Sequence, residues 1–237
     1  MTKVVFISPC FNASENLETL ISSVISQKDS RWEHVLIDDI STDDTASNLL
    51  RLTKKDDRFT VIKNKEKKYA LKNIIQVARK YQNEKDVIIA TIDGDDSLCN
   101  DNTVGMLISE YEKGSDVVWT AHRWDINNMN ISRAMPEGVN PYQWPWCTSH
   151  LRTFRASLLS SIDDKNFKHV SGKWFERGYD QALMLPLLSL TKNRKYIDEV
   201  CYLYNIDSSS IPEDKRNWSE MEQISTINMV RARGFLK

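Results

Sequence analysis

The chain carries at residues 87–96 the run Val87-Ile88-Ile89-Ala90-Thr91-Ile92-Asp93-Gly94-Asp95-Asp96, in which three carboxylates follow a mostly apolar stretch. A short apolar run that ends in acidic residues predicts a buried strand that delivers its carboxylates to one edge of a sheet. Carboxylates this close together repel one another and raise each other's pKa unless a cation is present. A hard divalent cation, Mg2+ or Mn2+, would resolve that repulsion. The alternative is a polar loop in which Asp-Gly turns and Asp96-Ser97 opens a helix.

Upstream of this run the sequence alternates between strand and helix patterns. Apolar, β-branched stretches predict strands at residues 4–8, 34–37, 59–62 and 87–92. Helical periodicity predicts helices at 14–27, from Asp43-Asp44 onward, and at 71–81. In the first helix we expect Ile25 on the apolar face, and in the second we expect Leu50 to point inward. Such alternation implies parallel strands with right-handed crossovers, so the polar loops 9–12, 38–42 and 93–96 would meet at one sheet edge.

The second half of the chain has a less regular pattern. It predicts helices at 103–111, 149–161, 179–190 and 217–237, with strands at 116–121 and 195–204. The segment 123–146 is rich in Asn, Pro and Trp and predicts loops with short antiparallel strands. No Gly/Ser-rich linker or internal repeat divides the chain, so we expect one domain.

Composition excludes several classes of protein. The chain has 237 residues, 41% of them hydrophobic and 27% charged, as in ordinary globular proteins. Its net charge of -1 gives no overall attraction to nucleic acid or anionic membranes. No apolar run approaches the ~20 residues of a membrane span, and the N-terminus turns polar too soon for a signal peptide. The cysteines lack metal-site spacing and suit a reducing compartment, so we expect a soluble cytoplasmic protein; they are Cys10, Cys99, Cys147 and Cys201.

Three segments, in order, resemble the family 2 glycosyltransferases, GT-A fold enzymes that use nucleotide-diphosphate sugars. They are Ile7-Ser8-Pro9-Cys10-Phe11-Asn12, the run 35–45 with its DDgSTDgT-like Asp38-Asp39-Ile40-Ser41-Thr42-Asp43-Asp44-Thr45, and the DxDD-like residues 93–96. The resemblance implies an α/β fold of GT-A type, with a Rossmann-like, mostly parallel sheet, helices on both faces and a less regular acceptor-side C-terminal half. It implies a single domain over 1–237: a nucleotide-sugar-binding half at 1–100, an acceptor-binding half at 101–205, and a C-terminal loop and helix at 206–237.

The resemblance also implies how the donor nucleotide binds. Asp39 would accept a hydrogen bond from the imide of the base, which favours uracil or thymine, and Phe11 would stack on that base. The alternatives are a helix cap for Asp39 and core packing for Phe11. Pro9 and Asn12 belong to the same nucleotide-binding loop. Lys72 would contact the diphosphate, unless it is a solvated helix lysine.

The aspartate cluster is implied to hold the cofactor, Mn2+ or Mg2+. Asp95 would bridge the ion to both phosphates, and Asp93 would contact the ribose or a metal-bound water. Asp96 competes with Asp95 for the direct contact, and the sequence does not separate the two. The ion would neutralise charge on the departing diphosphate.

The acceptor side is implied to supply the general base. The run 177–185, Arg177-Gly178-Tyr179-Asp180-Gln181-Ala182-Leu183-Met184-Leu185, resembles the family's Gly-Glu-Asp-like helix start, with Asp180 as the base and Tyr179 in place of the usual acidic neighbour. A helix cap is the alternative for Asp180. Candidate acceptor contacts, each weighed against core packing, are Trp144, Trp146, Trp174 and His150. His150 is also a candidate to approach the metal, and Ser208-Ser209-Ser210 resembles the start of the family's closing loop.

We therefore predict a metal-dependent, inverting glycosyltransferase that moves a sugar from a nucleotide diphosphate, UDP by preference, to a hydroxyl of a saccharide or glycolipid. Two alternatives stay open. One is transfer to a hydroxylated base in DNA, as in phage DNA modification, against which the net charge of -1 argues. The other is a non-catalytic module that binds nucleotide sugars. A nucleotidyltransferase is disfavoured because the loop 8–12 contains no glycine.

Overall fold

A computed structural model describes residues 1–206 and 216–237, and within these ranges eight strands form one sheet. The predicted closing-loop residues Ser208–Ser210 lie outside the described residues. The strand order is β3-β2-β1-β4-β7-β6-β8-β5. The strands are β1 (Lys3–Cys10), β2 (Trp32–Asp38), β3 (Phe59–Lys63), β4 (Val87–Thr91), β5 (Ser97–Leu98), β6 (Val117–Trp124), β7 (Arg152–Arg155) and β8 (Arg194–Tyr204).

The first four strands are parallel, and the sheet changes direction beyond β4. There β7 pairs antiparallel with both β4 and β6, while β6 and β8 are parallel and β5 is antiparallel to β8. The predicted mostly parallel α/β sheet is therefore confirmed. Its parallel part places the ends of β1, β2 and β4 at one edge, as expected for crossover connections.

Helices cover both faces of the sheet. They are α1 (Leu17–Ile25), α2 (Thr45–Thr53), α3 (Tyr69–Ala78), α4 (Thr103–Glu112), α5 (Tyr179–Leu190) and α6 (Arg216–Arg233), with 3-10 segments at Arg79–Tyr81, Ala156–Ser161 and Asp164–Phe167. Alternate residues of β1 enter two separate apolar clusters, because successive strand side chains point to opposite faces. Val5 and Ile7 pack with α3 and α5, whereas Val4 and Phe6 pack with α1 and α4.

Two of the predicted helix faces need correction. Ile25 ends α1 with 46% of its surface exposed, and Leu50 on α2 is 61% exposed, although both are apolar. Leu49, by contrast, is fully buried. Helical geometry places residues one apart about 100° from each other, so the packed stripe of α2 takes Leu49 and leaves Leu50 outside.

The predicted helix at 149–161 is wrong. Residues Arg152–Arg155 form β7, and only Ala156–Ser161 is helical, as a 3-10 segment. Leu151, Phe154 and Leu158 have helix-like spacing, but Leu151 and Phe154 belong to the apolar clusters on opposite faces of the sheet. Pairing of β7 with β4 and β6 overrides local propensity here.

Three further boundaries differ from the predictions. Residues 125–151 carry no strand, so the predicted short antiparallel strands are absent from this described segment. Ser97 and Leu98 form β5 rather than opening a helix. The last helix ends at Arg233, four residues before the predicted end. Among the helices that the structure describes, none combines the length and apolarity required to cross a bilayer.

Candidate functional site

The aspartate cluster lies against the end of β1. A Cβ added at Gly94 would come within 2.9 Å of the Cys10 sulfur and 3.0 Å of the Pro9 carbonyl oxygen, so the loop packs this closely only with glycine at that position. The backbone N–H of Asp39 donates to the Cys10 carbonyl at 2.9 Å, which joins the ends of β1 and β2. Pro9 is half-buried at this junction. The three predicted loops therefore meet at one edge.

Asp39 is held by four nearby nitrogen groups. One carboxylate oxygen, Oδ1, accepts from Asn64 Nδ2 at 2.7 Å and from the Lys68 N–H at 2.9 Å. The other, Oδ2, accepts from the Tyr69 N–H at 2.8 Å and lies 3.6 Å from the Lys67 ammonium. Burial raises the pKa of Asp39, but the hydrogen bonds from Asn64, Lys68 and Tyr69, together with the nearby Asn73 side chain, outweigh burial and lower it overall. Asp39 is thus an ionised acceptor, 2% exposed, before the first turn of α3.

Phe11 faces this carboxylate across the Lys67 side chain. The Lys67 ammonium lies 2.9 Å from the centre of the Phe11 ring and donates to the Asp39 carbonyl oxygen at 3.0 Å. The Phe11 ring is half-buried rather than packed in the core. An aromatic face beside an ionised acceptor is an arrangement suited to a planar heterocycle.

Asn12 and Lys72 have partners within the chain. The Asn12 side-chain oxygen accepts from the Thr42 N–H at 2.9 Å, and the Asn12 N–H donates to Ser41 Oγ at 3.0 Å. Asn12, with φ of +50°, therefore ties the loop after β1 to the loop after β2. Lys72 lies 3.5 Å from a carboxylate oxygen of Glu66. The nucleotide contacts implied for both residues stay predictions.

Asp93 belongs to a network that the sequence did not indicate. Its Oδ2 accepts from Arg152 Nη2 at 3.0 Å, and its Oδ1 accepts a short hydrogen bond from the Tyr179 hydroxyl. Arg152 Nη2 also donates to that hydroxyl at 3.1 Å, and Arg152 Nε donates to Thr91 Oγ1 at 3.2 Å. Arg152 is 2% exposed in β7. Its only sequence signal is an arginine inside a strand, which the helix prediction for 149–161 concealed.

Asp96 is buried and hydrogen-bonded to the end of β8 and to the residue that follows it. Its carboxylate accepts from the Tyr202 hydroxyl at 2.6 Å and from the Asn205 N–H at 2.8 Å. Burial, together with the charges of Asp95 and Asp93, raises the pKa of Asp96 well above its usual range. Asp95 itself is half-exposed. The two residues that the sequence did not separate thus differ in burial, with Asp96 the enclosed one.

His150 completes a group that fits a divalent ion. Its ring is stacked between Tyr202 at 4.7 Å and Tyr204 at 4.9 Å. Burial lowers the pKa of His150 well below its usual value, so the ring is neutral and can offer a lone pair. One ligand atom each from Asp93, Asp96 and His150 lie within 4.8 Å of one another, and His150 Nε2 is buried without a hydrogen-bond partner. The two carboxylates are ligands of the kind that suits Mg2+ and Mn2+, and the imidazole adds a nitrogen ligand of the kind that transition metals accept.

Asp180 lies in the first turn of α5, directly after Tyr179. Gly178 precedes the helix with φ of +63°, a conformation that glycine adopts without strain. Burial raises the pKa of Asp180, and the charge of Arg152 opposes that shift in part. Arg152 therefore acts on both Asp180 and Asp93. A carboxylate whose pKa is raised but which is still ionised is a stronger base than an ordinary aspartate.

The predicted acceptor-side tryptophans divide into two groups. Trp144 and Trp146 are half-buried between β6 and β7, and Arg231 of α6 donates to the Trp144 carbonyl at 2.8 Å. Arg231 also donates to Gln181, the neighbour of Asp180, at 2.7 Å. Trp144 is thus linked to the first turn of α5 through Arg231. Trp174 instead stacks on Phe167 at 6.2 Å, in a different segment.

Sequence comparison relates the chain to one family. The family described as "Glycosyl transferase family 2" matches residues 5–174. A curated relative, the glycosyltransferase TuaG of Bacillus subtilis (strain 168), named for teichuronic acid biosynthesis, is 38% identical over 56 residues. That match covers 24% of this chain and 22% of TuaG.

Solved structures share the fold at low identity. Residues 1–349 of TarS from S. aureus superpose with a TM-score of 0.69 and 16% identity, over all of this chain and 67% of that one. The same TarS fragment in complex with UDP-GlcNAc gives a TM-score of 0.66 and 17% identity, over 100% and 68% of the two chains. The mannosyltransferase PcManGT from Pyrobaculum calidifontis, in complex with GDP-Man and Mn2+, superposes with a TM-score of 0.60 and 14% identity. The superposition covers 96% of this chain and 64% of that one. These similarities establish a GT-A fold.

Proposed function

The chain belongs to glycosyl transferase family 2, and from that premise we propose a metal-dependent, inverting transfer of a sugar from a UDP-linked donor to an acceptor hydroxyl of a saccharide or glycolipid. One observation carries the proposal. Arg152 donates a hydrogen bond to Asp93 on the donor side, and its positive charge partly offsets the rise that burial causes in the pKa of Asp180 on the acceptor side. One buried cation therefore interacts with both candidate carboxylates. In this proposal residues 1–100 bind the donor and residues 101–205 bind the acceptor.

The donor would bind at the edge formed by β1, β2 and β4. Asp39 accepts from the base, Phe11 stacks on it, and Pro9, Asn12 and Lys72 flank the nucleotide. Two observations support a uridine nucleotide: Asp39 is an ionised acceptor, and TarS has been solved with UDP and UDP-GlcNAc. Because PcManGT was solved with GDP-Man, the base has to be tested directly.

The residues that would hold Mn2+ or Mg2+ are Asp93, Asp96 and His150, with Asp95 beside them. The fit rests on the buried, unpartnered Nε2 of His150 and on the raised pKa of Asp96, since a cation favours the ionised form of a carboxylate. When bound, the ion supplies positive charge to the departing diphosphate. Arg152 and Tyr179 keep Asp93 oriented toward that region.

Asp180 would take the proton of the acceptor hydroxyl. As the proton moves to the carboxylate, the hydroxyl oxygen forms a bond to the anomeric carbon of the donor sugar. The bond from that carbon to the diphosphate breaks, and its electron pair leaves with UDP. Attack from the face opposite the leaving group inverts the anomeric configuration. Trp144 and Trp146 would bind the acceptor sugar, with His150 and Trp174 as further candidates. The name of TuaG supports a saccharide acceptor.

The first test is UDP release by the purified protein with Mn2+, across UDP-, GDP- and CDP-sugars and a panel of saccharide acceptors. Asp180→Asn should slow transfer by about 10²–10⁴-fold, the usual contribution of a general base, and Asp95→Ala should weaken metal-dependent turnover. Asp44→Asn, an exposed change at the start of α2, is the matched control and should retain activity. Because the base must be ionised, the wild-type rate should rise with pH through a raised Asp180 pKa.

The outcomes separate the parts of the proposal. Release from a GDP- or CDP-sugar in preference to a UDP-sugar would exclude the UDP assignment but leave the transferase class intact. Full transfer activity in Asp180→Asn would remove Asp180 as the base. A product that retains the donor's anomeric configuration would contradict inversion.

A further inference from the structure

Lys67 occupies the space that the proposed function gives to the base. Its ammonium lies over the Phe11 ring, 2.9 Å from the ring centre, and contacts Asp39 through the carbonyl oxygen at 3.0 Å and Oδ2 at 3.6 Å. Its side chain is 29% exposed, so it is partly buried against Phe11 and Asp39 rather than fully solvated. A planar ring can stack on Phe11 only after the ammonium leaves this face.

The two carboxylate oxygens of Asp39 differ in their surroundings, and Oδ2 is the one next to Lys67. A carboxylate oxygen accepts about two hydrogen bonds. Oδ1 already accepts two, from Asn64 and from the Lys68 N–H. Oδ2 accepts from the Tyr69 N–H and lies beside the Lys67 ammonium, and the Asn73 side chain also lies close enough to lower the pKa of this carboxylate. A base that displaces the ammonium therefore takes over its place beside Oδ2.

This pair complements the edge of uracil. A uracil imide presents an N–H flanked by the carbonyl oxygens O2 and O4, so its N–H fits Oδ2 of Asp39 and its O4, the carbonyl that cytosine lacks, fits the ammonium of Lys67. Cytosine places a ring-nitrogen lone pair against the carboxylate and an amino group against the ammonium. Both contacts are then repulsive, so the same two side chains favour one pyrimidine over the other.

We propose that Lys67 is a specificity-determining residue, which leaves the Phe11 face when the base stacks there and then donates to the base carbonyl beside the imide N–H. This rests on the proposed function, in which the donor base is uracil. The flexible stem and the three rotatable N–H donors of lysine permit such a movement without a change of backbone. The base replaces the cation over Phe11, so the aromatic face stays covered.

Binding of uridine and cytidine tests the proposal without any contribution from phosphate. Titrations followed by NMR would compare the wild type with Lys67→Met and Lys67→Arg. Lys67→Met should bind uridine about tenfold more weakly, the effect of losing a hydrogen bond to a charged group, and should lose most of its preference over cytidine. Lys67→Arg, which keeps a cationic donor, should restore part of that preference.

Lys68→Met is the matched control. It removes the same charge one residue away, but the Lys68 ammonium contacts Gln76 at 3.2 Å, and the backbone N–H that binds Asp39 is kept. Its uridine affinity should stay within about twofold of the wild type, below the effect of a typical hydrogen bond.

Four results would overturn part or all of this. Unchanged or tighter uridine binding by Lys67→Met would mean that the lysine only covers Phe11. A loss confined to UDP, with uridine unaffected, would assign Lys67 to the diphosphate instead. If Lys67→Met keeps the preference of the wild type for uridine, the inference fails while the proposed donor stands. If the wild type has no preference for uridine over cytidine, both the inference and the UDP assignment fail.

Discussion

Tyr179 joins the two halves of the candidate site through one hydroxyl group. It donates to Asp93 at the end of β4 and accepts from Arg152 in β7, while the next residue in α5 is the candidate base Asp180. Burial, with Asp93 adding to it and Arg152 opposing it, raises the pKa of Tyr179 well above its usual value, so the hydroxyl keeps its proton. A donor-side carboxylate is thereby fixed relative to an acceptor-side helix.

Tyr179→Phe should lower kcat without a matching rise in the KM of the donor. The ring keeps its packing, but Asp93 loses a hydrogen bond of a kind that contributes about 1.5–3 kcal/mol, so we expect a fall of roughly tenfold or more in kcat. Steady-state kinetics with saturating acceptor would measure kcat and the donor KM separately.

Tyr81→Phe is the control for loss of a tyrosine hydroxyl. Its hydroxyl makes a longer contact of 3.5 Å to Glu33, away from the aspartate cluster. If the two variants lower kcat equally, the link through Tyr179 carries no function.

At the residue scale, the motif positions were predictable and their partners were not. Asp39, Asp93 and Asp180 each follow a local pattern that the sequence displays. Arg152 and Tyr202 hydrogen-bond to Thr91 and Asp96, which lie 61 and 106 positions away in the sequence. Local periodicity carries no information on such contacts, so the network around Asp93 required the fold.

At the element scale, α5 depends on the glycine that precedes it. Gly178 has φ of +63° and packs against α6, where an added Cβ would lie 3.1 Å from the Gln223 carbonyl oxygen and 3.2 Å from Ile227 Cγ1. The close approach of α6 and the left-handed backbone both require glycine. The position of Asp180 therefore depends on the packing of two helices.

Gly178→Ala should destabilise the protein by more than its backbone conformation alone explains. The left-handed conformation costs alanine about 1–2 kcal/mol, and overpacking against α6 adds roughly 1–3 kcal/mol. Gly234→Ala is the matched control, because Gly234 has φ of +67° with open space around its added Cβ. Urea unfolding would give the free energy of unfolding of both variants. Equal losses of stability would show that α6 moves aside for the added methyl group without an energetic penalty.

The strands β1 to β4 were predictable because their local signals agree with their tertiary setting. Strands β1 to β4 are apolar, β-branched runs, and the crossover rules then fix their direction. The strand β7 was not predictable, because Leu151 and Phe154 fit a helical stripe as well as a strand that is buried on both faces. Only its neighbours β4 and β6 decide between the two.

For the whole molecule, buried histidines should set the response to acid. His34 and His122 are fully buried, and burial lowers their pKa to about 3 and about 4. Their folded pKa lies below the unfolded value of ~6.5, so the unfolded chain binds more protons as the pH falls. Stability should therefore decrease below pH 6.5, by about 2 kcal/mol for His34 between pH 6.5 and 5.

Thermal unfolding at pH 7.5, 6 and 5 would test this for the wild type and His34→Gln. The variant should have a lower melting temperature at pH 7.5, because Ser8 Oγ loses its hydrogen-bond partner at 2.9 Å. Its melting temperature should nevertheless fall less than that of the wild type when the pH is lowered. His169→Gln, at a half-buried position, should keep most of the wild-type slope. If the melting temperature of His34→Gln depends on pH as steeply as that of the wild type, His34 is not the cause of the acid sensitivity.

The described segment between β6 and β7 has an evolutionary consequence. Residues 125–148 carry no strand and precede the candidate metal ligand His150, so insertions or deletions there can leave the register of the neighbouring strands unchanged. The sheet edge formed by β1, β2 and β4 is built from strands whose registers constrain one another. It therefore tolerates far fewer insertions and deletions. Under selection for a new acceptor, lineages can therefore diverge in the segment that holds Trp144 and Trp146 while inheriting the donor chemistry intact.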